Sequence, residues 1–273
     1  MSVSGSNRRK VWNAASDMAW PGPQSAVKAS VSSASSSSIC SARIHCNCTT
    51  PRPLTARDAG ATPFMVLLSA YAVLIRRLGR EDDVVIASPV AGRTDRRQRQ
   101  QLGQFVNTVL FRIDADLEQS FSALLAQVRA TVVDGMRYQD CGFSTLVEAL
   151  SPVRDPGMAP LAQIAFAWER LPLLQAFEPF FLHDPAGDEL ALGGLRLHPF
   201  AVPQQEGQFD LALEMGGERD GAYQGVLKYQ AGLWESSTLQ RFVAAFSRLV
   251  EDLVPKLLPL ATVQRVLQNL LDE

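Results

Sequence analysis

The chain has 273 residues, a formal net charge of −2 and 47% hydrophobic residues, which are typical values for a globular protein. The near-zero charge gives no reason to expect a nucleic acid or an anionic membrane as a partner. No apolar run reaches the ~18–20 residues that span a bilayer. The basic start, Met1 to Lys10, is not followed by an apolar segment, so no secretory signal is predicted and a cytoplasmic location is expected.

Residues 1–53 differ in composition from the rest of the chain. Residues 30–38 are all Ser, Ala or Val, and the segment also contains Pro21, Pro23, Pro51 and Pro53. Such a composition buries too little apolar surface to offset the entropy lost on ordering, so the segment is predicted to be disordered and residues 54–273 to form the folded domain. Cys40, His45, Cys46 and Cys48 lie in this segment, but Cys-x-Cys without a second pair matches structural zinc sites poorly, and no metal is predicted.

The first predicted element of the folded part is a helix from Thr62 to Leu78. Thr62 is its expected N-cap, Pro63 fits the first turn, and Gly79 follows its end. Apolar residues occupy most positions, which indicates a largely buried helix. A continuous apolar run from Asp83 to Ser88 then predicts a central strand.

The next predicted strand, Phe105 to Ile113, places an amide among apolar side chains. Alternation puts Asn107 on the same side as Val109 and Phe111. A buried amide without partners costs about 1–3 kcal/mol, so Asn107 is predicted to hold a neighbouring loop through hydrogen bonds. A place in the lining of a substrate channel is the alternative.

The remaining elements alternate between helix and strand. Helices are predicted over Ser120–Tyr138, Phe143–Leu150, Leu239–Leu253 and Val263–Leu271, and strands over Leu161–Trp168, Leu190–Phe200, Phe209–Met215 and Ala222–Tyr229. Ser120 is the expected cap of the first of these helices. Asp220-Gly221 joins the last two strands as a hairpin. Leu171 to Gly187 is predicted to be a loop anchored by Phe177, Phe180 and Phe181. This order predicts an α/β fold with a mixed sheet flanked by helices.

Two stretches, residues 82–93 and 102–112, resemble signatures of the condensation domains of nonribosomal peptide synthetases, in the family's order and at its spacing. The likeness runs from about Leu54 to the C-terminus and implies a chloramphenicol-acetyltransferase-like lobe. The positions taken to carry it in these two stretches are Ser88, Pro89, Gly92, Arg93, Gly103, Phe105, Asn107, Thr108 and Arg112. Gly92 is expected to adopt a conformation that other residues resist, and Arg93 to make structural hydrogen bonds.

Three further segments resemble the family's pattern in part. In residues 138–144, Gln139 and Asp140 match, while the usual Pro and Glu are absent. In residues 154–161, Arg154 and Asp155 match, while Gly157, Met158 and Ala159 stand where the family often has polar residues, which predicts a weakened loop network. Asp210 is expected to be a loop or cap ligand and not a proton-transfer group.

A basic loop follows the first signature. Arg96, Arg97 and Arg99 lie between the two family-like stretches. They are expected to be solvated; attraction of a phosphopantetheine phosphate is the alternative.

The family's catalytic motif, His-His-x-x-x-Asp-Gly, lies in the N-terminal lobe of a two-lobed domain. This chain has His45, His183 and His198, none of them adjacent, and His183 lacks the following Asp and Gly at the required spacing. The resemblance therefore implies a C-terminal lobe with no catalytic residue and no bound cofactor of its own. The implied partners are peptidyl or acyl carrier domains, which bear phosphopantetheine, and a missing N-terminal lobe.

Three functions are compatible with the sequence. The favoured one is the C-terminal lobe of an amide-forming condensation domain, which is not catalytic alone. The alternative is a non-catalytic module that docks a carrier protein, or one half of a split condensation enzyme. A lone acyltransferase that uses His183 or His198 is the third and least favoured reading.

Overall fold

The structure, a computed structural model, describes residues 41–49, 60–79, 83–116, 119–152, 158–169, 177, 180, 189–200, 208–219 and 222–253. In chain order its elements are β1 (Ser41–Thr49), α1 (Pro63–Gly79), β2 (Asp83–Val90), a 3-10 turn (Gln98–Gln100), β3 (Asn107–Asp114), α2 (Phe121–Arg137), α3 (Phe143–Leu150), β4 (Ile164–Trp168), β5 (Leu190–Leu192), β6 (Leu195–Leu197), β7 (Leu211–Arg219), β8 (Ala222–Gln230), α4 (Ser236–Arg248) and a π-helical turn (Leu249–Leu253).

Six of these strands form one mixed sheet in the order β1-β8-β7-β4-β2-β3, and β5 and β6 form a separate hairpin. β4 runs parallel to both of its neighbours, β2 and β7. β3, β8 and β1 join antiparallel to β2, β7 and β8 respectively. Helices α1, α2 and α4 pack on the sheet through one core, so the predicted α/β architecture with a mixed sheet flanked by helices is confirmed.

Helix α1 is the centre of that core. The hydroxyl of Thr62 accepts a hydrogen bond from the Met65 amide at 3.3 Å, which confirms the predicted N-cap. Tyr71 is fully buried, and its ring lies 5.7 Å from Phe166 of β4 and 6.0 Å from Phe242 of α4. The helix therefore joins the sheet to α4 through aromatic contacts.

Helix α2 covers β3. Ser120 caps it by accepting from the Ala123 amide at 3.2 Å, as predicted. Gly135 lies so close to β3 that a Cβ atom there would stand 2.7 Å from the Phe111 ring. The glycine thus allows a helix–strand approach that any larger residue would prevent.

The opposite face of the sheet carries a second, smaller buried cluster. It consists of Ala87, Ala162 and Ala165, with Leu110 and Phe209 packed against it. The two faces of β2 and β4 are therefore both apolar, which explains the continuous apolar run that predicted a central strand.

Several boundaries differ from those predicted. β3 begins at Asn107 and β4 at Ile164, each later than expected, whereas α4 begins earlier, at Ser236, and ends in a π-helical turn. The single strand predicted over residues 190–200 is wrong: it is the β5–β6 hairpin, because Gly193 and Gly194 take positive φ values of 54° and 85° and reverse the chain.

The N-terminal limit of the ordered part also needs correction. Residues 41–49 form β1, which pairs along its whole length with β8, so the sheet begins inside the segment predicted to be disordered. Residues 1–40 lie outside the described residues. The alternation of Arg43, His45 and Asn47 with apolar or small neighbours is the strand signal that segment-wide composition concealed.

Other predictions fall partly outside the described residues. The β7–β8 hairpin is confirmed by the pairing of Arg219 with Ala222, although Asp220-Gly221 itself is not described. Of the loop at 171–187 only Phe177 and Phe180 are described, with ring centroids 5.9 Å apart. The predicted helix at 263–271 is not described. Of the helices that the structure describes, none combines the length and apolarity needed to cross a bilayer.

Candidate functional site

Most of the family-like residues meet where β2 ends and β3 begins. Pro89 lies opposite Thr108 and Val90 opposite Asn107 in the antiparallel pair. Beyond Val90 the chain turns at Gly92, whose φ is +62°. A Cβ atom on Gly92 would stand 1.8 Å from the carbonyl oxygen of Phe105, so no other residue fits this crossing.

Arg93 holds the loop that connects the two strands. Its guanidinium donates to the carbonyl oxygens of Gln98, Gln101 (2.9 Å) and Gly103 (3.1 Å). The same group lies 4.3 Å from the centroid of the Phe105 ring, in cation–π geometry. The planar guanidinium can donate to the carbonyls of three residues because its five donors are held in a fixed fork.

Asn107 holds a second loop, the turn between α2 and α3. Its Nδ2 donates to the carbonyl oxygens of Gln139 and Cys141, both at 2.7 Å. Its Oδ1 accepts from the Phe143 amide at 3.1 Å. Asn107 lies on the α2 side of the sheet with Val109, as the alternation predicted. Its side-chain amide acts as both donor and acceptor.

A side-chain contact joins the two loops. The Thr94 hydroxyl donates to Oδ1 of Asp140 at 3.2 Å. Within the turn, Gln139 Nε2 donates to the Met136 carbonyl at 2.9 Å and continues the end of α2. We call the connected set the motif clamp; its members are Gly92, Arg93, Thr94, Asn107 and Asp140.

The remaining family-like residues lie outside the motif clamp. Ser88 is buried on the helix side of β2. Arg112 binds Asp83 through Nε and Nη2 at 2.7–3.0 Å on the exposed rim of the β2–β3 pair. This hydrogen bond raises the pKa of the Arg112 guanidinium. Arg154 and Asp155 are outside the described residues.

Asp210 lies at the start of β7, on a different part of the sheet. Its backbone amide donates to the Gln163 carbonyl at 2.9 Å, and its carbonyl accepts from Gln230 at 3.1 Å. Burial raises the pKa of the Asp210 carboxyl from 3.8 to about 6. Asp210 thus connects β4, β7 and β8 through its backbone, while its carboxyl lies half-buried.

The loop before β4, where polar residues of the family pattern are replaced, is still held at one point. Gln163 Nε2 donates to the Ala159 carbonyl at 2.9 Å. Leu161 takes a φ of +66°, which is unusual for a residue with a Cβ. Sequence reasoning missed Gln163, since nothing in its spacing marks it as a partner of Ala159.

A second feature that sequence reasoning missed is an ion pair inside the sheet. Lys228 Nζ of β8 lies 2.6 Å from Glu214 Oε1 of β7, and both side chains are mostly buried. The pKa of the nearby Glu169 carboxyl is raised, mainly by burial and to a lesser extent by the negative charge of Glu214. The positive charge of Lys228 partly offsets this rise in pKa. The signal in the sequence was a charged residue flanked by apolar residues in each strand, Glu214 between Leu213 and Met215 and Lys228 between Leu227 and Tyr229.

Of the three histidines, His198 is the one whose side chain the structure describes. His198 is 68% exposed and lies 3.3 Å from Glu189 beside the β5–β6 hairpin, apart from the motif clamp. Among the described residues, no group of three or more His, Cys, Asp or Glu side chains could hold a metal ion. The motif clamp binds backbone groups with most of its polar atoms, so it can position loops.

Comparison with protein families gives a match over most of the chain. The family described as "Condensation domain" matches residues 26–265. Phosphinothricin tripeptide synthetase PhsB of Streptomyces viridochromogenes is 35% identical over 216 residues, which are 75% of this chain and 17% of that protein. Malpinin synthetase of Mortierella alpina is 33% identical over 184 residues, which are 67% of this chain and 2% of that protein. The chain therefore spans a small part of these curated relatives.

Solved structures give the same fold. A four-domain nonribosomal peptide synthetase bound to AMP and glycine superposes with a TM-score of 0.75 at 35% identity, covering 82% of this chain and 17% of that one. The first condensation domain of the CDA synthetase superposes with a TM-score of 0.59 at 16% identity, covering 82% of this chain and 47% of that one.

Proposed function

This chain belongs to the condensation-domain family, and from that membership we propose that it supplies the C-terminal lobe of an amide-forming domain in a nonribosomal peptide synthetase system. In the proposed reaction an aminoacyl amine attacks an acyl or peptidyl thioester. The new C–N bond replaces the C–S bond, the thiol leaves, and the amine loses a proton. Both substrates are carried on the phosphopantetheine arms of separate carrier domains, so the chain itself needs no cofactor, and we expect it to act in the cytoplasm.

The observation that supports this proposal is the motif clamp. The residues that resemble the family's signatures contact one another across loops far apart in sequence, as in the pairing of Asn107 with Gln139 and Phe143. Such agreement between a sequence pattern and a connected set of contacts would be unexpected if the resemblance were accidental.

We assign this lobe a positioning role and no proton transfer. General acid–base catalysis needs a group within hydrogen-bond reach of the transferred proton. Arg93 and Asn107 are committed to backbone groups, and His198 is exposed beside an acid on a peripheral hairpin. The proposed catalytic histidine therefore comes from an N-terminal lobe with the His-His-x-x-x-Asp-Gly motif, encoded with this lobe or separately.

The test is reconstitution with loaded carriers. The chain is mixed with an acyl-loaded donor carrier and an aminoacyl-loaded acceptor carrier, with and without an N-terminal condensation lobe that contains the histidine motif. Mass spectrometry of the acceptor carrier measures amide formation. We expect product only when both lobes are present, and no change in rate for His198→Ala.

The other outcomes identify the competing functions. Product from this chain alone that disappears in His198→Ala would show a lone acyltransferase. Carrier binding without product, even with the N-terminal lobe present, would show a docking module.

A further inference from the structure

We propose that the loop of residues 94–106 is the surface through which this lobe contacts the N-terminal lobe of a condensation domain, with Leu102 and Val106 as its apolar anchors. This inference rests on the proposed function. It adds the place of contact and the side chains that make it.

Both anchor side chains are exposed to solvent in this structure. Leu102 has a relative exposure of 102%, as in an extended chain, and Val106 one of 61%. A single exposed apolar side chain is ordinary on any protein surface. Two such side chains on one short loop, one of them as exposed as in an extended chain, need an explanation.

The explanation comes from the way the loop is held. The carbonyl groups on either side of Leu102, those of Gln101 and Gly103, both accept hydrogen bonds from Arg93. Val106 directly precedes Asn107, whose side-chain amide makes three hydrogen bonds to backbone groups. A mobile loop could fold a leucine back onto the protein, but this loop is fixed at both anchors and keeps them in solvent.

Fixed, exposed apolar side chains are what a preorganised interface requires, because their ordering entropy is lost before the partner arrives. The motif clamp therefore has a use beyond stability. Arg93 and Asn107 direct their polar atoms toward backbone groups, while the side chains of Leu102 and Val106 stay in solvent.

The proposed occupant follows from the comparison with a single solved domain. This chain covers 47% of the first condensation domain of the CDA synthetase, so that domain contains about as much chain again beyond the matched part. A second lobe of similar size is thus the partner that the comparison offers. Arg96 and Arg97 are exposed on the same loop, which predicts acidic groups on the rim of the partner's apolar patch.

Binding of a separate N-terminal lobe tests the proposal. The probe is the N-terminal lobe of a condensation domain chosen because its two lobes, produced as separate chains, re-associate. Titration calorimetry measures the dissociation constant for the 273-residue chain, for Leu102→Ser with Val106→Thr, and for a control with Val133→Thr and Leu233→Ser. The control residues are also exposed apolar side chains, on α2 and in the turn after β8.

We expect the Leu102/Val106 variant to bind on the order of tenfold more weakly or worse, and the control to bind as the wild type does. Equal affinity of the Leu102/Val106 variant and the wild type would overturn the inference and leave the proposed function standing. Failure of the wild-type chain to bind the probe at all would contradict the proposed function and the inference together.

Discussion

At the scale of single residues, the side-chain amide of Asn107 is committed to backbone groups. Both of its donor hydrogens and its oxygen are used by backbone groups of one turn. Replacement by Leu, which has a similar size, removes all three partners at once. Because three backbone groups would then need water or rearrangement, we expect Asn107→Leu to lower the free energy of unfolding by about 1–3 kcal/mol.

Urea denaturation of Asn107→Leu and of the wild type measures this difference. Thr108→Val is the matched control, since Thr108 is the next residue in β3 and lies on the other side of the sheet. A wild-type midpoint for Asn107→Leu, combined with lost amide formation after reconstitution with the N-terminal lobe, would instead place Asn107 in a substrate channel.

A second prediction at this scale concerns pH. The folded-state pKa of Asp210 is about 6, against an ordinary value of 3.8. Between about pH 4 and pH 6 the native state therefore binds this proton more tightly than the unfolded state does. The contribution of Asp210 to stability is present at low pH and is lost as the pH rises through about 6.

Comparison with Asp210→Asn isolates this contribution from that of other groups. We expect the unfolding free energy of the wild type, minus that of the variant, to fall between about pH 4 and pH 6 and to stay constant above about pH 7. Urea melts at each pH measure it. A difference that does not change with pH would show that the carboxyl keeps an ordinary pKa in the folded state.

At the scale of elements, a comparison of two glycines with positive φ distinguishes the cost of a left-handed backbone from the cost of a steric clash. Gly92 has a φ of +62° and faces the Phe105 carbonyl, whereas Gly193 has a φ of +54° and no atom within 4 Å of the place that a Cβ would occupy. Alanine at Gly193 should cost at most about 1–2 kcal/mol, the strain of a left-handed residue. Alanine at Gly92 should cost about 2 kcal/mol or more beyond that, because a backbone carbonyl must move and the Arg93 loop with it.

Thermal and urea melts of Gly92→Ala and Gly193→Ala provide the comparison. Limited proteolysis of the 94–106 loop reports on the motif clamp directly, and we expect faster cleavage only in Gly92→Ala. Equal destabilisation by the two substitutions would mean that the close approach of Gly92 to Phe105 contributes nothing.

The elements that could be predicted from sequence are those whose ends carry local signals. α1 and α2 begin after Thr62 and Ser120, and both side chains cap their helices as expected. The β5–β6 hairpin was missed because Gly193-Gly194 was taken as part of a single strand, whereas both glycines have positive φ and reverse the chain. β1 was missed because a serine-rich composition, averaged over the whole segment, outweighed a short alternating pattern.

Prediction of the candidate site from the sequence meets a similar limit. Alternation indicates that Asn107 needs partners, but it cannot identify them, because Gln139, Cys141 and Phe143 lie more than thirty positions further along the chain. The ion pair of Glu214 with Lys228 depends on tertiary packing in the same way. Local patterns identify a polar residue in an apolar setting, and only the fold supplies its partner.

At the scale of the whole molecule, β1 is the edge strand that covers the central strands on the β8 side of the sheet. It pairs with β8 from Ser41–Gln230 to Thr49–Ala222, so a chain that starts at residue 54 would leave β8 as an open edge strand. Unpaired edges promote association between molecules. We therefore expect residues 54–273 to melt at a lower temperature and to self-associate more than residues 41–273.

Analytical ultracentrifugation and thermal melts of the two shortened chains check this expectation, with the 273-residue chain as reference. Identical melting temperatures and monomeric behaviour of both would show that β1 adds nothing to the sheet. Loss of stability already in the chain that starts at residue 41 would assign the stabilising contribution to residues before β1.

The pairing of β1 with β8 also bears on how the protein folds as it is synthesised. β1 leaves the ribosome well before β8, which follows almost all of the other described strands and helices. Closing so long a loop carries a large entropy cost, and contacts of such high sequence separation slow folding. The first strand must therefore wait without its partner during most of translation, when an unpaired strand is most exposed to mispairing. Slower elongation would lengthen that wait, so the yield of folded protein should depend on the rate of translation between the codons for β1 and β8.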